Sequence, residues 1–471
     1  MVAFAASLTA VLAEERLDRS DEIAKTPERD FEYIITCDRP DGVYAVGETA
    51  TLTVRVRNAS DASVATDGVI RVEFDGYDNR TFRTETHDLA QEGPVLTVKA
   101  GLPHPGIMRA KIYSGGQKKF SMWGVAFDPG KIEPDVEMPA DFDSFWAEAI
   151  ARYDREVPED FELCLDRDQT TPWNDVYRIS FTAPDRTRLY GFVSYPKDRT
   201  RKYPARFEVP SAGVGGWTLG PSTYKRDRSV NMLLNIFPFD MPKTVKEAFV
   251  PYRAWTKMLE EKYHVDHYMS AGLGVSREDY TVYNYLLGAN RAIEWLWRQP
   301  EVDPSRFYYW GASQGGGYGT LVMGLNHRFT RGCLLVPCQT NGMEAHGRQG
   351  SHFAWKYQTS PEAQANAKRF LPYFAGENFA RRITCPTMVT VGLCDPTCAA
   401  HGGWSVYNLI PAKSKAIVGA VNQPHGPPDP VWFGTQEWLY GDSNWKETFG
   451  EQIRYIHTPD SGRCSSDSNA H

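Results

Sequence analysis

From position 31 to 127, apolar and polar residues alternate in short runs. Ala50-Thr51-Leu52-Thr53-Val54-Arg55-Val56 and Gly68-Val69-Ile70-Arg71-Val72-Glu73-Phe74 put every second side chain on an apolar face, the period of a half-buried strand. Runs of this kind, separated by Asp, Asn and Gly turns, predict an antiparallel, immunoglobulin-like β-sandwich over 31–128 with no helical period inside it. The rhythm changes after Pro129-Gly130. Asp141-Phe142-Asp143-Ser144-Phe145-Trp146-Ala147-Glu148 opens on an acid and spaces its apolar residues as a helix does. From 177 onward strands alternate with helices. Strands are expected at 177–182, 188–195, 205–209, 307–310, 332–336, 387–391 and 415–418. A helix is expected over 282–298, with Leu286, Leu287, Ile293 and Leu296 on its buried side. This alternation predicts a mostly parallel sheet covered by helices on both faces, filling 129–457. The stretch 216–270 follows neither period and is rich in aromatics, so it is expected to be an irregular excursion over the top of the sheet.

Composition narrows the partners. A chain of 471 residues is long enough for two domains. Net charge is −7 and no basic stripe is present, which argues against nucleic acid. No apolar run reaches the ~18–20 residues of a membrane span. Within a leader over 1–30, the segment 2–13 is apolar, and Val11-Leu12-Ala13 before Glu14-Glu15 resembles a signal cleavage site without a basic start. Export to the periplasm or medium is the expectation; a frayed helical leader on a cytoplasmic protein is the alternative. The polar segment 458–471 is expected to be a disordered tail. Eight cysteines do not suggest a disulfide scaffold. The i, i+4 spacing of Cys394 and Cys398 permits a local bridge; two buried free thiols are the other reading. With His401 they lack a fourth zinc ligand, so no metal or cofactor is expected.

The chemistry is concentrated at Phe307-Tyr308-Tyr309-Trp310-Gly311-Ala312-Ser313-Gln314-Gly315-Gly316-Gly317. An apolar strand runs into Gly-x-Ser-x-Gly and then into a helix, the context in which a serine is held at a sharp strand-to-helix bend with its hydroxyl exposed. A hydroxyl is a weak nucleophile, so an imidazole must take its proton and a carboxylate must orient that imidazole. In this arrangement the three occur in the order Ser, acid, His. Asp395 follows the strand at 387–391, and His425 follows that at 415–418, in Asn422-Gln423-Pro424-His425-Gly426. His346 and His352 precede the acid, and His401 stands too close after it. A developing oxyanion needs two N–H donors. Gln314 is expected to supply one, and Gly213, with Ala212 next, the other, from the small-residue loop Pro210-Ser211-Ala212-Gly213-Val214-Gly215-Gly216. An ordinary glycine-rich connection is the bland alternative for that loop.

These residues resemble the acetyl xylan esterase / cephalosporin-C deacetylase family of α/β-hydrolases, over roughly 130–445. The likeness is carried by Pro139-Ala140-Asp141-Phe142-Asp143-Ser144-Phe145-Trp146, by 278–296, by Gly311-Ala312-Ser313-Gln314-Gly315-Gly316-Gly317 and by Gly392-Leu393-Cys394-Asp395 through Cys398 with Pro424-His425-Gly426. It implies a serine carboxylesterase with Ser313 as nucleophile, His425 as base, Asp395 as orienter and an acetylated oligo- or polysaccharide as substrate. The sandwich in front is similar to the longer branch of such proteins. Two places depart from compact members. A tyrosine of their first oxyanion loop is replaced near Gly213, and Asn235-Ile236-Phe237-Pro238 stands where they have Arg-Gly-Gln. Among Trp217, Trp355, Trp404 and Trp432, all in segments near the expected mouth, Trp217 and Trp404 are the candidates to stack on sugar rings, core or lid packing being the alternative. Compact members form closed oligomers, so a homo-oligomer stays open here. The competing readings are an α/β-hydrolase serine peptidase and an inactive carbohydrate-binding relative.

Overall fold

The computed structural model describes residues 31–76, 80–114, 120–215, 220, 228–265, 267–340, 355–427, 429–441 and 453–456. The leader, the tail, Trp217, His346 and His352 lie outside the described residues.

The alternating front segment folds into two sheets. One carries β1 (Phe31–Cys37), β3 (Ala50–Asn58) and β6 (Val95–Ala100), the other β2 (Val43–Tyr44), β8 (Phe120–Phe127), β7 (Gly106–Ser114), β4 (Val69–Asp75) and β5 (Thr81–Asp88), in the orders β1-β3-β6 and β2-β8-β7-β4-β5. All pairings are antiparallel except β2 with β8. Val54 and Val56 from one sheet and Ile70, Val72 and Phe74 from the other share one core, and Tyr33 bonds Ser114 across it at 2.7 Å. A single four-residue helical turn, Leu89–Glu92, interrupts the strands where no helix was expected. Asp88 caps it by accepting from Ala90 N.

The rest builds a ten-stranded sheet. Its strands in chain order are β9 (Glu162–Leu165), β10 (Asn174–Thr182), β11 (Arg188–Pro196), β12 (Tyr203–Glu208), β13 (Val230–Leu234), β14 (Val302–Ala312), β15 (Arg331–Leu335), β16 (Thr387–Gly392), β17 (Lys415–Ala420) and β18 (Ile453–Ile456). The spatial order is β18-β17-β16-β15-β14-β12-β13-β11-β10-β9. Neighbours are parallel from β13 to β18, and antiparallel from β9 to β11 and between β11 and β13. This is an α/β-hydrolase sheet. The covering helices include α1 (Phe142–Glu156), α2 (Val245–Tyr263), α3 (Thr281–Trp297), α4 (Gln314–Leu325), α5 (Pro361–Phe370), α6 (Ala400–Leu409) and α7 (Asp429–Tyr440).

One expectation needs correction. The stretch 216–270 contains β13, a buried internal strand, and the nineteen-residue α2. Asn231 breaks the apolar pattern of β13, and its amide is satisfied by Ser229 O and Ser194. Pro251 sits inside α2 and hides the helical period. Among the described residues, no helix is long and apolar enough to cross a membrane.

Candidate active site

The carboxyl ends of parallel strands are where such sheets collect site residues. Here β12, β14, β16 and β17 end in the loops that carry Gly213, Ser313, Asp395 and His425. Ser313 joins β14 to α4 at φ 59°, ψ −120°, a strained conformation for a residue with a Cβ. The bend needs small neighbours. A Cβ on Gly315 would sit 2.3 Å from Val209 O, and one on Gly311 2.7 Å from Gly315 O. Ser313 N donates to Leu335 O at 2.9 Å, and Ser313 O accepts from Gly317 N at 3.0 Å and Cys338 N at 3.3 Å, so the strained residue is held on both sides.

The three candidates of the serine, acid and imidazole converge. His425 Nε2 lies 2.9 Å from Ser313 Oγ, and Nδ1 lies 2.9 Å from Asp395 Oδ2. A carboxylate only accepts, so the proton sits on Nδ1 and the Nε2 lone pair faces the hydroxyl. Asp395 is buried, and its Oδ1 accepts from Thr397 N at 2.7 Å and Cys398 N at 2.8 Å. Both carboxylate oxygens are thereby engaged, one by the backbone and one by His425. Burial pushes the His425 imidazole down, but the Asp395 carboxylate and Cys398 push it up, to about 9. The Cys398 contribution requires a thiolate. A hydrogen bond with Cys338, and then burial, hold that thiol well above its usual range. At neutral pH the upward push is therefore that of Asp395. Cys394 and Cys398 are both buried, and no bridge joins them. Cys398 Sγ lies 3.9 Å from Ser313 Oγ, whereas Cys394 turns away toward Met122 O and Val421 O.

On the oxyanion side, Gly213 has a partner the sequence did not point to. Gly213 adopts φ 76°, which favours glycine, and its N–H donates to the Tyr268 hydroxyl at 3.5 Å. Tyr268 in turn donates to Gln314 Oε1 at 2.5 Å, while Gln314 Nε2 donates to Pro210 O at 3.1 Å. Burial holds the Tyr268 hydroxyl protonated, well above its usual range. A tyrosine from a different segment thus stands beside the loop whose own tyrosine is missing. Nothing local in the sequence marks Tyr268, because Gly213 and Tyr268 are 55 residues apart. Gln314 is the first residue of α4, so its N–H has no carbonyl partner within the helix and sits at the positive end of the dipole.

Trp404 is a second correction. It lies on α6, is 0% exposed and packs edge-on against Tyr407, so it cannot reach a sugar. Trp404→Ala should cost about 3–5 kcal/mol of stability, as large buried truncations do, and leave KM for saccharide esters unchanged. Thermal unfolding and steady-state kinetics check this; a raised KM at an unaltered melting temperature would return Trp404 to the substrate. Trp432 packs edge-on against Trp310 at 4.5 Å, and Trp355 lies beneath Lys368, 4.0 Å from its ring centroid. His401 is buried in α6, and burial together with the nearby His104 pushes its imidazole down to about 3.

A model of the acetyl xylan esterase family matches residues 131–218 and 253–428, more than half of the chain. The chain belongs to the acetyl xylan esterase family. It is a carboxylic ester hydrolase. It is 26% identical over 327 residues to the acetyl esterase Axe7A of Xylanibacter ruminicola, covering 68% of this chain and 71% of that protein. Two solved structures share the fold. The acetyl xylan esterase from Paenibacillus sp. R4 is 19% identical with a TM-score of 0.53, over 66% of this chain and 98% of the other. Acetyl xylan esterase 1 from Thermoanaerobacterium sp. JW/SL YS485 is 18% identical with a TM-score of 0.53, over 67% and 98%.

Proposed function

We propose that this esterase removes acetyl groups from acetylated oligo- or polysaccharides through a Ser313-His425-Asp395 triad and an acyl-enzyme. The observation that carries the reading is the unbroken chain from Ser313 Oγ to His425 Nε2 and from Nδ1 to Asp395, both at 2.9 Å. Ser313 Oγ attacks the ester carbonyl while Nε2 takes its proton. The charge that develops on the carbonyl oxygen meets the N–H of Gln314 and, with Gly213 engaged by Tyr268, that of the exposed neighbour Ala212. The imidazolium returns its proton to the departing sugar hydroxyl. Water, deprotonated by the same imidazole, then releases acetate and restores Ser313. In this reading, 31–128 is a β-sandwich module and 129–457 the catalytic domain.

The test is substrate competence. Acetate release from acetylated xylan oligosaccharides and hydrolysis of p-nitrophenyl acetate are expected, with no turnover of amide chromogens. Hydrolysis of amides with none of acetyl esters would replace this reading by a peptidase.

The pH dependence follows from His425. The imidazole must start neutral, so the rate falls on acidification as it protonates. Because Asp395 raises its pKa, the midpoint should lie above 6.5 and below about 9. A kcat profile on a neutral ester measures it, and a rate constant from pH ~5 to ~9 would remove His425 as base.

A further inference from the structure

The front β-module meets the catalytic domain at the loop that carries the acid. A Cβ on Gly124, in β8, would lie 2.5 Å from Leu393 O and 2.7 Å from Leu393 Cβ, so the two backbones touch with nothing between them. The Cys394 thiol is within 3.5 Å of both Met122 O in β8 and Val421 O in the loop that leads to His425. Met122 and Cys394 pack together as a buried apolar cluster backed by Phe120. On the other side, a Cβ on Gly42 would lie 3.1 Å from Val421 Cγ1, and Gly42 O accepts from Ala126 N of β8 at 2.8 Å. Leu393 and Cys394 immediately precede Asp395, and Val421 stands four residues before His425. The same loops also brace each other. Cys394 N donates to Gln423 O at 3.1 Å, and a Cβ on Gly392 would sit 2.5 Å from Pro424 O.

We propose that β8 of the front module is a positioning element for catalysis, holding the Asp395 loop and the His425 loop in register through Met122, Gly124 and the Cys394 thiol. The module is then part of the active centre's scaffold, and its docking surface is matched to this chain's own acid loop. The inference rests on Asp395 being the partner of His425, since only then does a shift at Leu393 reach the chemistry. Misplacing a catalytic group by about 1 Å can cost on the order of 10²-fold in rate, so loosening this brace should act on kcat.

The test compares three variants of the full chain. Gly124→Ala forces a methyl against Leu393 O; kcat should fall about 10- to 100-fold with KM little changed. Met122→Ala keeps the backbone and only empties the space beside Cys394; kcat should fall several-fold. In both, the acid limb of the pH profile should move down toward about 6.5 as Asp395 loosens from His425. Asn408→Ala frees Pro129 O and Ile132 O, where the module joins α6, without touching the acid loop. It should lower the melting temperature and leave kcat and the pH profile as they are. A folded Gly124→Ala or Met122→Ala enzyme with wild-type kcat and pH profile would overturn the proposal. If Gly124→Ala does not fold, Met122→Ala decides alone. Ser313→Ala run alongside separates the two levels. Activity retained there would overturn the triad, whereas an inactive Ser313→Ala beside a fully active Met122→Ala overturns only the brace.

Discussion

Ser313→Ala lowers kcat on p-nitrophenyl acetate by five to six orders of magnitude, roughly the loss found when a serine hydrolase is stripped of its nucleophile. The variant keeps its fold. Ser313 is held by backbone hydrogen bonds through its own N and O, and among the described residues its hydroxyl bonds to His425 and the Cys398 thiol. The His425–Asp395 contact does not depend on that hydroxyl. The rate left over is what oriented N–H donors achieve with water as the nucleophile. Single-turnover kinetics should add a second sign: on the proposed mechanism the wild type is expected to accumulate an acyl-enzyme at Ser313, detectable as a mass increase of one acetyl group, and the variant is not. Acetate release at the wild-type rate by Ser313→Ala would end the account of hydrolysis at this site.

Asp395→Asn should lower kcat by about 10⁴-fold with KM nearly unchanged. The reason lies in what the two carboxylate oxygens do. Oδ1 accepts from Thr397 N and Cys398 N, two fixed donors. An asparagine satisfies them only by presenting its carbonyl oxygen there, which turns its NH₂ toward His425 Nδ1. A donor facing Nδ1 forces the proton onto Nε2, and Nε2 then has no lone pair for the Ser313 hydroxyl. The acid limb of the residual activity moves to lower pH, because the charge that raised the imidazole is gone. Steady-state rates across pH check both effects. A kcat within tenfold of wild type would show that Asp395 does not orient the base.

The site residues could be read before any fold was known because each sits in a local signature. Ser313 stands between glycines at a strand-to-helix bend, and Asp395 and His425 each follow an apolar strand in the order the chemistry requires. The sheet could be read for the same reason: 307–310, 387–391 and 415–418 are short runs of strand length dominated by apolar, aromatic and β-branched residues, as a strand buried on both faces favours. Region 216–270 resisted because its local cues conflict. Asn231 interrupts a buried strand, where Ser229 beside it and Ser194 from the next strand take up its amide, and Pro251 lies inside a helix.

The central strands, the Gly-x-Ser-x-Gly turn at Ser313 and the chain order of the candidate serine, acid and imidazole are written in short-range pattern, since period, glycine placement and spacing are properties of neighbouring residues. Burial and partnership are not. Trp404 looked available because its segment lies near the expected mouth, yet α6 packs on the sheet and on the front module and the Trp404 ring keeps no exposed surface. The Tyr268 hydroxyl accepts from Gly213 N across 55 residues, and the Cys394 thiol donates to Met122 O across 272. Such contacts are decided by which surfaces meet when the sheets close on one another, and no local window of the chain contains both sides of them.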